Sequence, residues 1–223
     1  MCNVCLISSS YPFRYCPDAV VLLITNPLNS ILPLFSEVYK KKGIDGRKRL
    51  IGLSNLDSIR AITLLCNYIH TSPEHISFPV IGGHSDSTII PLFSQLDKTI
   101  LSQIDIPYLT KRIQLAGDEV VQAKEGQGSA TLSVAFAAAA FTNSLLRAMN
   151  GEKNITEPAY VEQNVRGVPF FSSLVKLGMY GIESPVPLPT KLTKLENHLL
   201  EDSLPILKEQ IQKGIDYVNK ELN

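Results

Sequence analysis

The sequence predicts an α/β fold built around a parallel sheet, mainly from the order of segments in its first third. Residues 19–25, AVVLLIT, form an unbroken apolar run that is typical of a strand buried on both faces. Helical spacing follows over 29–42, then a short strand over 49–53 and a helical segment over about 56–68. This strand–helix–strand–helix order indicates βαβ units, whose strands run parallel.

Local signals mark where these elements begin and end. Asn26 stands before a proline and ends the first strand, because that position favours extended or turn geometry. Gly43 ends the first helix, since glycine readily adopts the left-handed conformation found after a helix. Ser54 or Asn55 can cap the second helix through a side-chain oxygen.

The remaining two thirds of the chain mix strands with longer helices. Strand-like segments are predicted at 76–81 and 88–93, on either side of a Gly-Gly-His turn, and at 159–163 and 170–177. Helices are predicted over 107–124, from a cap at Ser129 to about Met149, and over 192–219, where Pro205 kinks the helix or starts its second half.

Composition excludes several classes of protein. Hydrophobic residues make up 44% and charged residues 19%, as in a globular domain with a substantial core. Lys+Arg and Asp+Glu both number 21, so there is no basic excess to bind nucleic acid. Residues 126–146 carry no charge but are rich in Ala, Ser and Thr, which contribute little to bilayer insertion. They predict a buried, closely packed helix, and no membrane association is expected.

The four cysteines do not predict a metal or disulfide framework. Cys2 and Cys5 form a C-x-x-C pair, but a zinc site needs about four ligands and no second pair follows. We interpret these two as incidental thiols. Cys16 and Cys66 stand apart, so a reducing compartment and no bound metal are expected.

Four polar residues are the candidates for chemistry. Asn26 and the pair Asp57 and Arg60 each follow a predicted strand, and in open parallel sheets ligands bind beyond the carboxyl ends of strands. Asp57 and Arg60 are three residues apart and share a helix face. A buried aspartate can orient a histidine such as His84 and stabilise its charged form. The arginine can hold a carboxylate through two parallel hydrogen bonds, and Asn26 adds an amide to orient an oxygen.

Each of these residues also has an ordinary structural interpretation. Asp57 and Arg60 can be a simple intrahelical ion pair, His84 can be a turn residue after two glycines, and Asn26 can be a strand-ending turn. Taken one at a time, none of them identifies a function.

Their surroundings identify a family. The chain carries, in order, four segments that resemble signatures of the lactate/malate dehydrogenase superfamily: ITNPLNS at 24–30, LDSIRA at 56–61, GGHSDSTIIP at 82–91 and GSATLSVAFAAA at 128–139. Connecting segments resemble it too: SEVYKK at 36–41, RIQLAGDEVVQAK at 112–124 and LPILKEQIQKG at 204–214. The proline in the last segment is similar to the mitochondrial malate dehydrogenase branch. The resemblance extends from about Tyr15 to the C-terminus.

The resemblance implies roles for these residues. His84 would accept the proton of the substrate hydroxyl, Asp57 would orient it, and Arg60 would bind the substrate carboxylate. Asn26 would contact substrate and nicotinamide. Ile24, Thr25 and Val134 would lie near the cofactor, with Val134 where the malate branch usually has methionine. The implied reaction is hydride transfer between malate and NAD, giving oxaloacetate. A homodimer in the mitochondrial matrix is also implied; the cytoplasm is the second candidate compartment.

Part of the family pattern has no counterpart. Residues 1–14 contain no G-x-G-x-x-G turn of the kind that cradles a pyrophosphate, and the mobile loop whose arginine discriminates malate from lactate is missing. We therefore interpret the chain as the C-terminal two thirds of such an enzyme. Residues 1–14 are unassigned, 15–55 are the second half of a doubly wound Rossmann-type sheet, and 56–223 are an α+β catalytic domain.

Three functions remain open at this stage. The first is an NAD-dependent malate dehydrogenase, and the second is a catalytically impaired isoform or paralogue that acts through subunit association. Lactate-type specificity is the third, although the GGH and GSATLS segments resemble the malate branch. Asp86 departs from the small residue usual two positions after the histidine, and the sequence alone does not give its effect.

Overall fold

The computed structural model describes residues 15–221. The C-x-x-C pair of Cys2 and Cys5 and the unassigned segment 1–14 lie outside these residues. The α/β class is confirmed. The strands are β1 Val21–Leu23, β2 Leu50–Gly52, β3 Val80–Gly82, β4 Ile89–Pro91, β5 Thr156–Val165, β6 Val168–Gly178 and β7 Gly181–Pro185. The helices are α1 Leu28–Lys41, α2 Asn55–Ile69, α3 Lys98–Leu101, α4 Ile106–Ala123, α5 Leu132–Met149 and α6 Lys194–Glu221.

The described strands form one mixed sheet. Its order is β1-β2-β5-β6-β3-β4, with β7 paired to β6. β1 and β2 are parallel, as the βαβ pattern predicts, and every other pairing is antiparallel. The two strands predicted around the Gly-Gly-His turn are β3 and β4, which pair with each other. β7 was not predicted, and α6 is unbroken through Pro205.

The prediction that the first strand is buried on both faces is only partly correct: Val21 and Leu23 pack against one hydrophobic cluster and Leu22 packs against another, but burial is incomplete. β1 spans only Val21–Leu23, and Val21 and Leu22 are half-buried. Among the described strands, β1 lies at one end of the sheet order and pairs with β2. The apolar run still predicted the strand and its parallel partner correctly.

The prediction of a buried helix over 126–146 is also wrong in its burial. α5 is a helix up to Met149, but it begins at Leu132 after a Thr131 cap position, not after Ser129. Leu132 and Phe136 are 86% and 65% exposed. α5 is also the one helix within residues 15–221 that is long and apolar enough to cross a membrane by length and composition.

Three hydrophobic clusters join the helices to the sheet. One contains α1 and α6, a second contains α5, and a third contains α2 and α4. In the first cluster the backbones of α1 and α6 come into close contact. A Cβ added at Gly214 of α6 would overlap the carbonyl oxygen of Ser30 in α1. Glycine at 214 therefore sets the separation of α1 and α6.

We expect Gly214→Ala to destabilise the fold by about 1–3 kcal/mol, the usual range for overpacking. Alanine normally stabilises a helix interior by up to about 1 kcal/mol relative to glycine, so the overlap with Ser30 must outweigh a favourable term. Gly117→Ala in α4 is the matched control, because the nearest atom to its added Cβ, Arg60 Nη1, is 3.6 Å away. Urea unfolding should show the control unchanged or stabilised. Equal stability of the two variants would contradict the tight helix contact.

Candidate functional site

The candidate residues come from three neighbouring segments. Asn26 follows the carboxyl end of β1, Asp57 lies in the first turn of α2 just after β2, and His84 lies in the loop between β3 and β4. Because β1 and β2 are parallel, their carboxyl ends meet at one edge of the sheet. The β3–β4 hairpin brings His84 to the same place.

These segments enclose a pocket of about 340 Å³. Six of the seven residues singled out from the sequence line it: Ile24, Asn26, Asp57, Arg60, His84 and Val134. Thr25 is exposed and is not among the lining residues. The other lining residues include Leu53, Asp86, Gln114, Asp118 and Val121.

His84 and Asp57 form the central contact of the pocket. His84 Nδ1 lies 2.6 Å from Asp57 Oδ2, and the two side chains are 9% and 3% exposed. Burial lowers the pKa of His84, as does the charge of Arg60, but the charge and hydrogen bond of Asp57 outweigh both, so that the pKa is raised from 6.5. Asp57 therefore favours the protonated imidazole, and the contact leaves Nε2 as the nitrogen that can exchange a proton with a ligand.

Arg60 supplies the positive charge of the pocket wall. Its side chain is 19% exposed, and Nη1 lies 3.8 Å from Asp57 Oδ1. That distance is too long for a hydrogen bond. The N–H groups of the guanidinium thus keep the capacity to bind a carboxylate in the pocket.

The loop that carries His84 has a fixed shape. Gly82 has φ +107°, in the region that favours glycine, and a Cβ there would overlap the carbonyl oxygen of Thr88. Ser85 and Thr88 cap the short 3₁₀ turn 86–88 reciprocally, each through its side chain. Gln114 of α4 donates to the carbonyl of Ile89 at 3.1 Å. The tight turn therefore requires glycine in the Gly-Gly-His sequence, independently of any role of the histidine.

Asp86 faces a second carboxylate in the pocket. Burial and the hydrogen bond and charge of Asp118 raise the pKa of Asp86, while Lys111 lowers it. Asp86 is therefore protonated more readily than an isolated aspartate. Asp118 was not singled out from the sequence, because it lies 32 residues further along, on α4.

Asn29 and Gln210 were also missed. Asn29 is 2% exposed, lies in the first turn of α1 and accepts a hydrogen bond from the backbone N–H of His84 at 2.9 Å. Gln210 of α6 accepts from the Asn29 amide at 2.7 Å. The available signal was a second asparagine in NPLNS, on the face of α1 that carries its apolar residues. Nothing local marks Gln210.

Within residues 15–221, His, Cys, Asp and Glu form no group of three or more that could hold a metal ion. What the pocket offers is an imidazole held by a carboxylate, a guanidinium beside them, and an apolar wall that includes Ile24 and Val134. This arrangement can hold a carboxylate and move a proton at a neighbouring oxygen.

Comparisons with known proteins point to one enzyme family. Residues 54–218 match the model of the lactate/malate dehydrogenase α/β C-terminal domain. Mitochondrial malate dehydrogenase of Eucalyptus gunnii is 43% identical over 209 residues, covering 93% of this chain and 60% of the relative. Glyoxysomal malate dehydrogenase of Oryza sativa subsp. japonica is 44% identical over 208 residues, covering 93% and 58%. The chain thus spans about 60% of the length of these relatives.

Solved structures show the same fold. Cryptosporidium parvum malate dehydrogenase superimposes with a TM-score of 0.80 at 26% identity, covering 95% of this chain and 68% of that one. Picrophilus torridus malate dehydrogenase has a TM-score of 0.81 at 23% identity, covering 98% and 68%. The second likeness concerns the fold alone.

Proposed function

The chain belongs to the lactate/malate dehydrogenase family through its α/β C-terminal domain, and from this premise we propose that it serves in the NAD-dependent interconversion of malate and oxaloacetate. The observation that carries the proposal is the buried His84–Asp57 contact with Arg60 at the same pocket wall. The relatives' names give the substrate class, and the pocket supplies groups suited to it.

Each residue has a role in this proposal. His84 accepts the proton of the substrate hydroxyl at Nε2 during oxidation and returns it during reduction. Asp57 fixes the imidazole through Nδ1 and stabilises its charged form. Arg60 holds the substrate carboxylate, and Asn26 orients an oxygen beside it. Positioning these groups within one small pocket lowers the entropic part of the barrier.

The pocket fits the nicotinamide end of NAD. Ile24 is 43% exposed at the carboxyl end of β1, and Val134 and Val121 line the same pocket, so a flat ring finds apolar contacts there. Asn26 offers an amide beside them. When bound, the cofactor supplies or accepts the hydride. The residues of this chain orient the substrate and handle the proton.

Two further features belong to the proposal. We assign residues 15–55 to the NAD-binding part and 56–223 to the catalytic part. The chain is proposed to pair with a second copy through the region of α2, in the mitochondrial matrix as the first choice of compartment. The second candidate function, subunit association without catalysis, is favoured by the exposed Leu132 and Phe136 of α5.

A hybrid enzyme tests the proposal. The part of the Eucalyptus relative that precedes the matched region is joined to this chain, and oxidation of NADH by oxaloacetate is followed by absorbance. We expect turnover, and we expect His84→Asn to reduce it about 10²–10⁴-fold, the usual contribution of a general acid or base. His198→Asn is the control, because that histidine is exposed on α6. A folded hybrid without turnover, or equal loss in both variants, would rule out the catalytic proposal.

A further inference from the structure

Two hydrogen-bonded side-chain amides, the buried Asn29 and the half-buried Gln210, lie behind the loop that carries His84. Asn29 Oδ1 accepts from the His84 backbone N–H at 2.9 Å, and Asn29 Nδ2 donates to Gln210 Oε1 at 2.7 Å. Asn29 Nδ2 also lies 3.1 Å from Ser85 Oγ. One amide thus connects α1, the His84 loop and the C-terminal helix α6.

The orientation of both amides follows from one donor. A backbone N–H can only donate, so the Asn29 atom that faces His84 is the carbonyl oxygen. The nitrogen of the Asn29 amide must then point to Gln210, which presents its own oxygen. Asparagine supplies the acceptor and the donor that this position needs, whereas aspartate supplies an acceptor only and leucine supplies neither.

The anchor of this chain in α6 is itself fixed. Ser30 Oγ donates to the backbone carbonyl of Gln210 at 2.6 Å, and Ser85 Oγ donates to Gln210 Oε1 at 3.3 Å. Beside them, a Cβ added at Gly83 would come within 2.7 Å of Asn29 Nδ2. The loop backbone therefore rests directly on the Asn29 amide.

We infer that Asn29 and Gln210 are positioning residues for His84, holding its backbone so that the imidazole meets Asp57 with Nδ1 and leaves Nε2 for the substrate. The inference rests on the proposed role of His84 and adds the C-terminal helix to the machinery that orients it. Asp57 fixes the ring from the pocket side, and the Asn29 amide fixes the main chain from the opposite end of the residue.

Imidazole nitrogen NMR of the full chain tests the inference. The signal of His84 among the four histidines is identified by its loss in His84→Asn. In the parent chain we expect, above the pKa, one neutral tautomer with the proton on Nδ1. In Asn29→Leu we expect loss of the single tautomer and a fall in the pKa of His84, because the contact with Asp57 loosens while burial and Arg60 remain. Gln210→Met should show the same changes more weakly.

Two controls separate positioning from simple packing. Ser203→Ala removes another buried polar group of α6, whose hydroxyl donates to Leu200 O at 2.7 Å, and should leave the His84 signals unchanged. Asn29→Asp keeps the acceptor for the His84 N–H and adds negative charge, so it should preserve the Nδ1 tautomer and raise the pKa. Urea unfolding of each variant gives its stability.

The outcomes are distinct. If Asn29→Leu and Gln210→Met lower stability but leave the tautomer and pKa of His84 as in the parent, the amide chain is only structural and the inference is overturned. If Asn29→Leu does not fold, Gln210→Met still decides the question. The hybrid assay bears on the proposed reaction alone, since His84 can be positioned as inferred in a chain that does not turn over oxaloacetate.

Discussion

Replacing Asp57 with asparagine is expected to move the pKa of His84 from above its ordinary value of 6.5 to below it. Two interactions raise the pKa, the charge and the hydrogen bond of Asp57; the substitution removes the charge and leaves only a neutral, weaker acceptor. Burial and Arg60 remain, and both lower it. Titration of the His84 imidazole by NMR measures the change. A pKa that stays above 6.5 would show that Asp57 is not its source.

The same substitution should reverse the pH dependence of stability. With Asp57 present, His84 stabilises the fold fully below its unfolded pKa of about 6.5, and this contribution is lost as pH rises through the higher folded pKa. In Asp57→Asn the folded pKa lies below 6.5, so stability is instead lost as pH falls through this range. Urea unfolding of the parent and of Asp57→Asn between about pH 5 and 9 measures this change in stability. Repeating the comparison with His84→Gln present in both proteins gives the contribution of all other titrating groups, which is then subtracted.

Asp57→Asn should also reduce the turnover of the hybrid enzyme. Asparagine preserves the shape of Asp57 but no longer stabilises an imidazolium, so we expect turnover to fall about 10²–10⁴-fold. The Michaelis constant for oxaloacetate should change little, because Arg60 is intact. A loss confined to the Michaelis constant would place Asp57 in substrate binding instead.

Arg60→Lys is the second substitution with a large expected effect. Lysine keeps the charge but cannot form two parallel hydrogen bonds to a carboxylate. Loss of one charge-assisted hydrogen bond costs about 1.5–3 kcal/mol, which is roughly a 10- to 150-fold rise in the Michaelis constant for oxaloacetate. Steady-state kinetics of the hybrid measure it.

A matched control for Arg60→Lys is Arg112→Lys on α4. Arg112 pairs with Glu119 and is 38% exposed, and it does not line the pocket. We expect its kinetics to match the parent. The imidazole of His84 provides an internal check. Because Arg60→Lys keeps a positive charge at position 60, the pKa of His84 should hardly change. Equal kinetic effects in the two variants would remove Arg60 from the binding site.

The sequence predicted the local part of the site well. Asp57 and Arg60 are on one helix, and their spacing alone placed them on one face. The carboxyl end of an apolar run placed Asn26 at the edge of the sheet where the pocket lies. Both inferences need only the geometry of one helix or of one strand–helix unit. Residues placed by such local geometry can be predicted from the spacing of apolar and polar residues in the sequence.

Long-range packing was not predictable in the same way. β2 pairs with β5, whose first residue lies more than a hundred positions away, and nothing in either segment specifies the partner. Asn29 and Gln210 are 181 residues apart, so neither sequence neighbourhood shows that the two amides meet. α5 was predicted to be buried because it is apolar, yet burial depends on which surfaces pack against it.

The exposed apolar face of α5 has a calorimetric consequence. Only 28% of the helix Leu132–Met149 is buried. Unfolding therefore exposes less new apolar surface there than the composition of the helix suggests. Heat-capacity change on unfolding follows apolar surface newly exposed to water, about 12–15 cal/mol/K per residue for ordinary domains. A dispersed single chain should therefore give a smaller heat-capacity change on unfolding than an assembly in which α5 is covered. Association that covers α5 should raise the increment with protein concentration, and scanning calorimetry at several concentrations would measure how much apolar surface the assembly hides.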